Sequence, residues 1–129
     1  MQPFFTISLD FELSWGLDSK NKKKFIPEIL GVREVIPRLL KIFRSNDIHV
    51  TWATVGFVTF ESKKDLLNNL PVGKPNYLNA ELDPYVHMSN IGLNEKNDPI
   101  HYGYSLVNKI SETPNMEISS HSFSHFYCL

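Results

Sequence analysis

Two pairs of residues in this chain have the types and spacing to do chemistry together. Asp10 and Glu12 flank Phe11, and His121 and His125 bracket Ser122-Phe123-Ser124. Two carboxylates on one side of a strand end repel unless a cation lies between them or one of them holds a proton. Two neutral imidazoles at this spacing can reach one divalent ion, from one face of a helical turn or from a tight loop. Each pair alone has a plain alternative: two solvated acids, and a surface histidine beside a core one. Together, two imidazoles and one carboxylate form a three-donor set with open positions, which suits a catalytic divalent ion. The remaining carboxylate is then free to act as general base on water.

Such a convergence requires elements that bring both pairs to one place. Phe4 to Leu9 reads as a short buried strand running into the acids. Alternation along it puts Asp10 and Glu12 on one side and Phe11 on the other. Val32, Val35, Ile36, Leu39, Leu40 and Phe43 recur at helical spacing, so the sequence predicts an amphipathic helix over Gly31 to Ser45, kinked or divided at Pro37. Ile48 to Val55 reads as a second strand ending at Gly56, and Phe57 to Leu70 as a second helix. Tyr104 to Ser111 reads as a third helix before Pro114, and Met116 to Ser120 as a third strand. Between them, Pro71 to His101 holds four of the eight prolines and no clear period, which marks a functional or partly disordered loop. The order of elements predicts an α/β fold with a parallel sheet and βαβ units. Sites in such folds gather at the carboxyl ends of the strands, where both residue pairs fall.

The bulk numbers set the frame. At 129 residues, 42% apolar, 21% charged and net charge -1, the chain fits one domain or part of one. They exclude a strongly basic nucleic-acid-binding chain and a highly charged disordered one. Cys128 is the sole cysteine, so no disulfide framework forms within the chain. It reads as a small buried residue rather than a ligand. The N-terminus lacks the pattern of a signal peptide, and no apolar run reaches the roughly 18 residues of a membrane span. A soluble, cytoplasmic protein is the expectation. Asp18 to Lys24 reads as a solvated loop rather than an anion site. Trp52 reads as core and His49 as solvated. Trp15 suits either a sugar-stacking position or packing over the strand end, and His87 and His101 are outside candidates for the ion.

The segments Thr6-Ile-Ser-Leu-Asp10-Phe-Glu12, Val50-Thr-Trp-Ala-Thr-Val-Gly56 and Ser120-His121-Ser-Phe-Ser-His125 resemble the opening motifs of the polysaccharide deacetylases. That family is the NodB-homology domain of carbohydrate esterase family four. His121-Ser122-Phe123-Ser124-His125 fits the family's His-Ser/Thr-x-x-His pattern at every fixed position. Asp10 and Glu12 depart from its commonest first motif, which has two adjacent aspartates and a glycine. The segment does not fit a zincin helix, because Ser122 stands where that motif requires glutamate.

The resemblance implies a metal-dependent hydrolase that removes an N-acetyl group from a carbohydrate: an N-acetylated sugar, a glycan or a nucleotide-sugar. It implies Asp10 as catalytic base and Glu12, His121 and His125 as ligands of a divalent ion, with zinc expected and Trp15 as a substrate-binding candidate. The roles of Asp10 and Glu12 could be exchanged. The family's later segments, Arg-Pro-Tyr, Asp-Trp and Leu-x-His, do not occur here. Residues 1–129 therefore read as the amino-terminal part of one such domain, the first portion of a distorted (β/α) barrel. Two other readings stay open. One is an allantoinase-like amidohydrolase of a cyclic amide or ureide. The other is an inactive, truncated half-domain without metal, which self-associates through an uncovered sheet edge.

Overall fold

The computed structural model of the protein describes residues 3–17 and 22–127. Cys128 and residues 18–21 of the polar stretch lie outside the described residues. Three runs of β-branched and aromatic residues become strands: β1 (Ser8–Phe11), β2 (Val50–Thr54) and β3 (Met116–Ser120). They form a parallel sheet in the order β1-β2-β3. Phe11 lies opposite Thr54, and Thr54 opposite Ser120, so all three strands end on one rim. Parallel neighbours need crossovers. α1 (Ile26–Ser45) joins β1 to β2. The path from β2 to β3 runs through α2 (Lys63–Asn68), a long loop and α3 (Tyr104–Ser111). The expected α/β class with a parallel sheet is thus what forms. Among the described residues no helix is long and apolar enough to cross a membrane.

Three local expectations are corrected. β1 lies further along than Phe4 to Leu9, because its partners on β2 begin with Thr51 opposite Ser8. Phe4 and Phe5 precede the strand and are 91% and 89% exposed. α1 starts at Ile26, with Pro27 in its first turn where no donor is needed, and it continues through Pro37. An internal proline costs about 3 kcal/mol. Burying Ile29, Ile36, Leu40 and Phe43 contributes about 1.5–3 kcal/mol each, which outweighs it. The expected helix from Phe57 to Leu70 is two pieces, a 3-10 turn at Gly56–Thr59 and α2. Phe60 is extended between them, and Ser62 caps α2 by accepting from the Asp65 N–H at 3.2 Å.

The core lies between the sheet and the helices. Trp52 is buried as expected, edge-on to Phe11 at 6.4 Å between ring centroids. Val55, Phe57, Val58, Leu66, Tyr102 and Ile110 are fully enclosed. Asp47 and Asn115 carry the turns that follow α1 and α3. Both are left-handed (φ 53° and 65°), and the Asn115 amide donates to the Asp47 carboxylate at 2.7 Å. Short polar side chains tolerate that backbone region best after glycine.

The proline-rich stretch is built rather than structureless. It folds into 3-10 turns at Ala80–Leu82 and Pro84–Asn90, started by the side chains of Asn79 and Asp83. Arg33 on α1 then clamps its end. The guanidinium donates to the Glu95 carboxylate and to the carbonyls of Pro99 and Tyr102. Glu95 in turn accepts from the N–H and hydroxyl of Ser105 in the first turn of α3. One cation thus ties the loop and α3 to α1. Hydrogen bonds to charged groups contribute about 1.5–3 kcal/mol each when net. Arg33→Ala is expected to destabilise the fold by about 2–3 kcal/mol in urea unfolding. Arg33→Lys should not restore it, since an ammonium cannot span these acceptors as a planar fork does.

Candidate metal centre

Strand alternation does not place Glu12, because β1 has ended. Glu12 is the first residue beyond it, with φ -131° and ψ -13°. Leu13 follows at φ 50°, a rare conformation for a bulky residue. The reversal opens a single 3-10 turn, Leu13–Gly16, pinned by Trp15 N–H donating to the Glu12 carbonyl at 3.0 Å. Ser14 N–H donates to the Ile100 carbonyl at 3.1 Å and anchors the turn to the loop.

The histidines sit in a loop, not on a helical turn. The end of β2 dictates its path. His121 N–H donates to the Thr54 carbonyl at 2.9 Å, continuing the β2–β3 ladder. Gly56 N–H and Phe57 N–H then donate to the carbonyls of Ser122 and Phe123 at 3.0 and 2.9 Å. A side chain at Gly56 would meet Phe123 at 2.6 Å, so this close pairing requires glycine there. Ser122 and His125 are both left-handed, at φ 60° and 53°. The Ser122 hydroxyl closes the loop by accepting from Phe126 N–H at 2.9 Å. Two reversals in four residues turn His121 and His125 toward each other, with ring centroids 5.3 Å apart. Left-handed non-glycine residues cost on the order of 1–3 kcal/mol each and cluster at functional sites.

Glu12 meets both imidazoles. One carboxylate oxygen, Oε2, lies 2.9 Å from His125 Nε2 and 3.3 Å from His121 Nε2. The three donor atoms lie within 4.8 Å of one another. Zinc bonds of about 2.0–2.1 Å at tetrahedral angles would set neighbouring donors roughly 3.3–3.4 Å apart. The His121 contact matches that spacing and the His125 contact needs to open slightly. The donor chemistry, two imidazoles and a carboxylate, fits a divalent first-row ion. One element of a mature site is missing: His125 Nδ1 is buried and has no partner on another residue among those described. Metal-binding histidines ordinarily donate that N–H to an orienting acceptor.

Electrostatics follow from the contact. The hydrogen bond from His125 holds the Glu12 carboxyl below its usual 4.5, against the opposing push of burial. The same bond raises His125 above 6.5, opposed by burial and helped by the charges of Glu12 and then Asp10. Asp10 itself is exposed at the end of β1 and stands outside the three-donor cluster.

Other candidates fall elsewhere. Trp15 is 4% exposed. Its indole packs edge-on to Phe57 and His101 and donates to the His101 carbonyl at 2.8 Å. That is the packing alternative, not an open sugar-stacking face. His101 is held by Asp98 at 2.8 Å and contacts Lys22 Nζ at 3.2 Å, away from the cluster. Lys22 is therefore a packed residue within the expected solvated loop, and burial lowers its pKa despite Asp98. His49 is exposed, as expected. Gly16 was not singled out by sequence; its position four residues after Glu12, in a turn, was the available signal.

The pH dependence of the metal-free pair has a definite sign. The stability from Glu12 is present above 4.5 and lost as pH falls through its lowered folded value. That from His125 is present below 6.5 and lost as pH rises through its raised folded value. NMR titration of the metal-free protein should find His125 titrating above 6.5, and Glu12→Gln should move it back down. A wild-type midpoint at or below 6.5 would remove the ion pair. Comparison of the chain with family models, characterised proteins and solved structures finds no match.

Proposed function

We propose that this chain carries the metal-binding part of a hydrolase that removes an N-acetyl group from a carbohydrate. The observation that carries the reading is the single Glu12 oxygen lying 2.9 and 3.3 Å from two imidazole nitrogens on a different element. The motif resemblance to polysaccharide deacetylases supplies the substrate class. On that reading, the three-stranded sheet is the first portion of a NodB-type barrel. The substrate is an N-acetylated sugar, glycan or nucleotide-sugar met in the cytoplasm.

Glu12, His121 and His125 would hold a divalent ion such as zinc, which would supply Lewis acidity and make water at the site more acidic. Both histidines serve it as neutral imidazoles, so zinc affinity rises with pH as His125 gives up its proton. Asp10 is the base. Its exposed carboxylate stands at the same strand end and its charge reaches His125. It would take a proton from the water whose oxygen bonds to the acetyl carbonyl carbon. The carbon–nitrogen bond then breaks, the amine leaves with a proton, and acetate and a free amino sugar result. The resemblance assigns the oxyanion donor and the acid that protonates the amine to later segments, which residues 1–129 do not contain.

The purified chain is therefore expected to bind zinc and to release acetate from an N-acetylated chitooligosaccharide only slowly. His121→Ala and His125→Ala should each weaken zinc at least ~10-fold by chelator competition. Equal affinity in all three proteins would reject the metal centre. Asp10→Asn should abolish the residual, zinc-dependent acetate release and leave zinc affinity near wild type. If Asp10→Asn loses zinc and Glu12→Gln keeps it, the two acids exchange roles.

A further inference from the structure

The 3-10 turn after β1 carries a glycine whose backbone does not explain it. Gly16 closes the turn at Leu13–Gly16, and among the described residues no glycine has a positive φ. Any L-residue could adopt its conformation, and alanine favours a helical turn over glycine. What a side chain at Gly16 would meet is the end of the Glu12 side chain. A Cβ there would lie 1.8 Å from Glu12 Oε1, 2.1 Å from Cδ and 2.6 Å from Oε2. Atoms cannot approach so closely, so the space a methyl group would fill is already taken by the Glu12 carboxylate. The same carboxylate bridges His121 and His125.

We infer that Gly16 is a positioning residue of the metal centre: its absent side chain is the seat that holds the Glu12 carboxylate against the two imidazoles. This rests on the metal-centre reading above. Glu12 is a flexible ligand, and several rotamers would leave it in solvent. The turn brings Gly16 beneath it, four residues on, and leaves room for the carboxylate where it meets the imidazoles. With alanine at 16, Glu12 must swing off His125 and His121. The contrast is Gly31, in the middle of α1, where a Cβ would meet nothing within 4 Å.

The experiment compares zinc affinity, by competition with a chromophoric chelator, in wild type, Gly16→Ala, Gly31→Ala, Glu12→Ala and Glu12→Ala/Gly16→Ala. Gly16→Ala should weaken zinc about 10- to 100-fold, the range for losing an orienting contact. Gly31→Ala should bind as wild type and melt higher. In the Glu12→Ala background, Gly16→Ala should weaken zinc no further. Equal zinc affinity in wild type and Gly16→Ala overturns the inference, as does a further loss in that background. If the overlap instead lowers the melting midpoint of Gly16→Ala, the double variant should recover it, and a midpoint that stays low overturns the inference. A second readout needs no metal. The imidazole nitrogen NMR shifts of His125 in metal-free Gly16→Ala should match those of Glu12→Ala. Wild-type shifts there overturn the role of Gly16 even if the wild type binds no zinc, a result that by itself rejects only the metal centre.

Discussion

The hydrogen-bonded junction between the end of β2 and the histidine loop is the constraint on which the site depends. His121 N–H donates to the Thr54 carbonyl, and Gly56 and Phe57 donate to Ser122 and Phe123. Through these bonds the central strand carries the loop beyond the last residue of β3 and sets it on the rim where β1 also ends. The sheet is parallel, so that rim is shared by construction. Had β3 run the other way, His121 and His125 would stand at the far end of the sheet from Glu12. The left-handed Ser122 and His125 are tolerable because the bonds from Gly56 and Phe57, and the Phe57–Phe123 ring contact at 5.1 Å, hold the loop between them.

At this junction the two sides of the site supply opposite charge. Glu12 sits nearer His125, the more enclosed imidazole, with 19% of its side chain exposed against 34% for His121. In the metal-free protein a proton on His125 neutralises the carboxylate, which is why one pKa falls and the other rises together. A proton can bridge only one nitrogen to one oxygen at a time. A divalent ion would satisfy both imidazoles and the carboxylate at once, and two imidazoles with a carboxylate, their donor atoms within 4.8 Å of one another, are the donor types it takes.

How legible this was follows from which rules govern which residues. The parallel sheet could be read because its strands are β-branched and aromatic runs separated by segments long enough for crossovers. α3 and β3 were readable to the residue, Tyr104–Ser111 and Met116–Ser120, because Pro114 and flanking polar residues bound them. Where tertiary contacts set the boundary, periodicity failed. α1 starts at Ile26 and crosses Pro37 because its buried face outweighs one lost donor. The stretch from Phe57 breaks at Phe60 because Ser62 caps a new helix. The loop before α3 gave no period, since its order comes from Arg33 on a remote helix. In the site, residue types and spacing brought Glu12, His121 and His125 to notice together. They could not show that alternation stops at Phe11, that Trp15 turns into the core, or that Gly16 lies under the carboxylate.

The different placement of the two acids gives their spacing a physical sense. Asp10 is still in the strand and paired opposite Ala53, so its backbone is fixed and its short side chain stays exposed at the rim. A group placed so can meet water and carry a proton away. Glu12 lies one residue past the strand, where the chain has turned, and its longer side chain folds back over Gly16 to the imidazoles. Its condition is the opposite one: reach, partial burial and contact with two imidazoles. One intervening residue suffices to separate the two conditions, because the strand ends between them. Phe11, the residue that intervenes, is 2% exposed and packs its ring on Trp52. The residue between the acids therefore anchors the strand end to the core, and the division between a fixed, wet carboxylate and one folded back onto the imidazoles depends on that anchor.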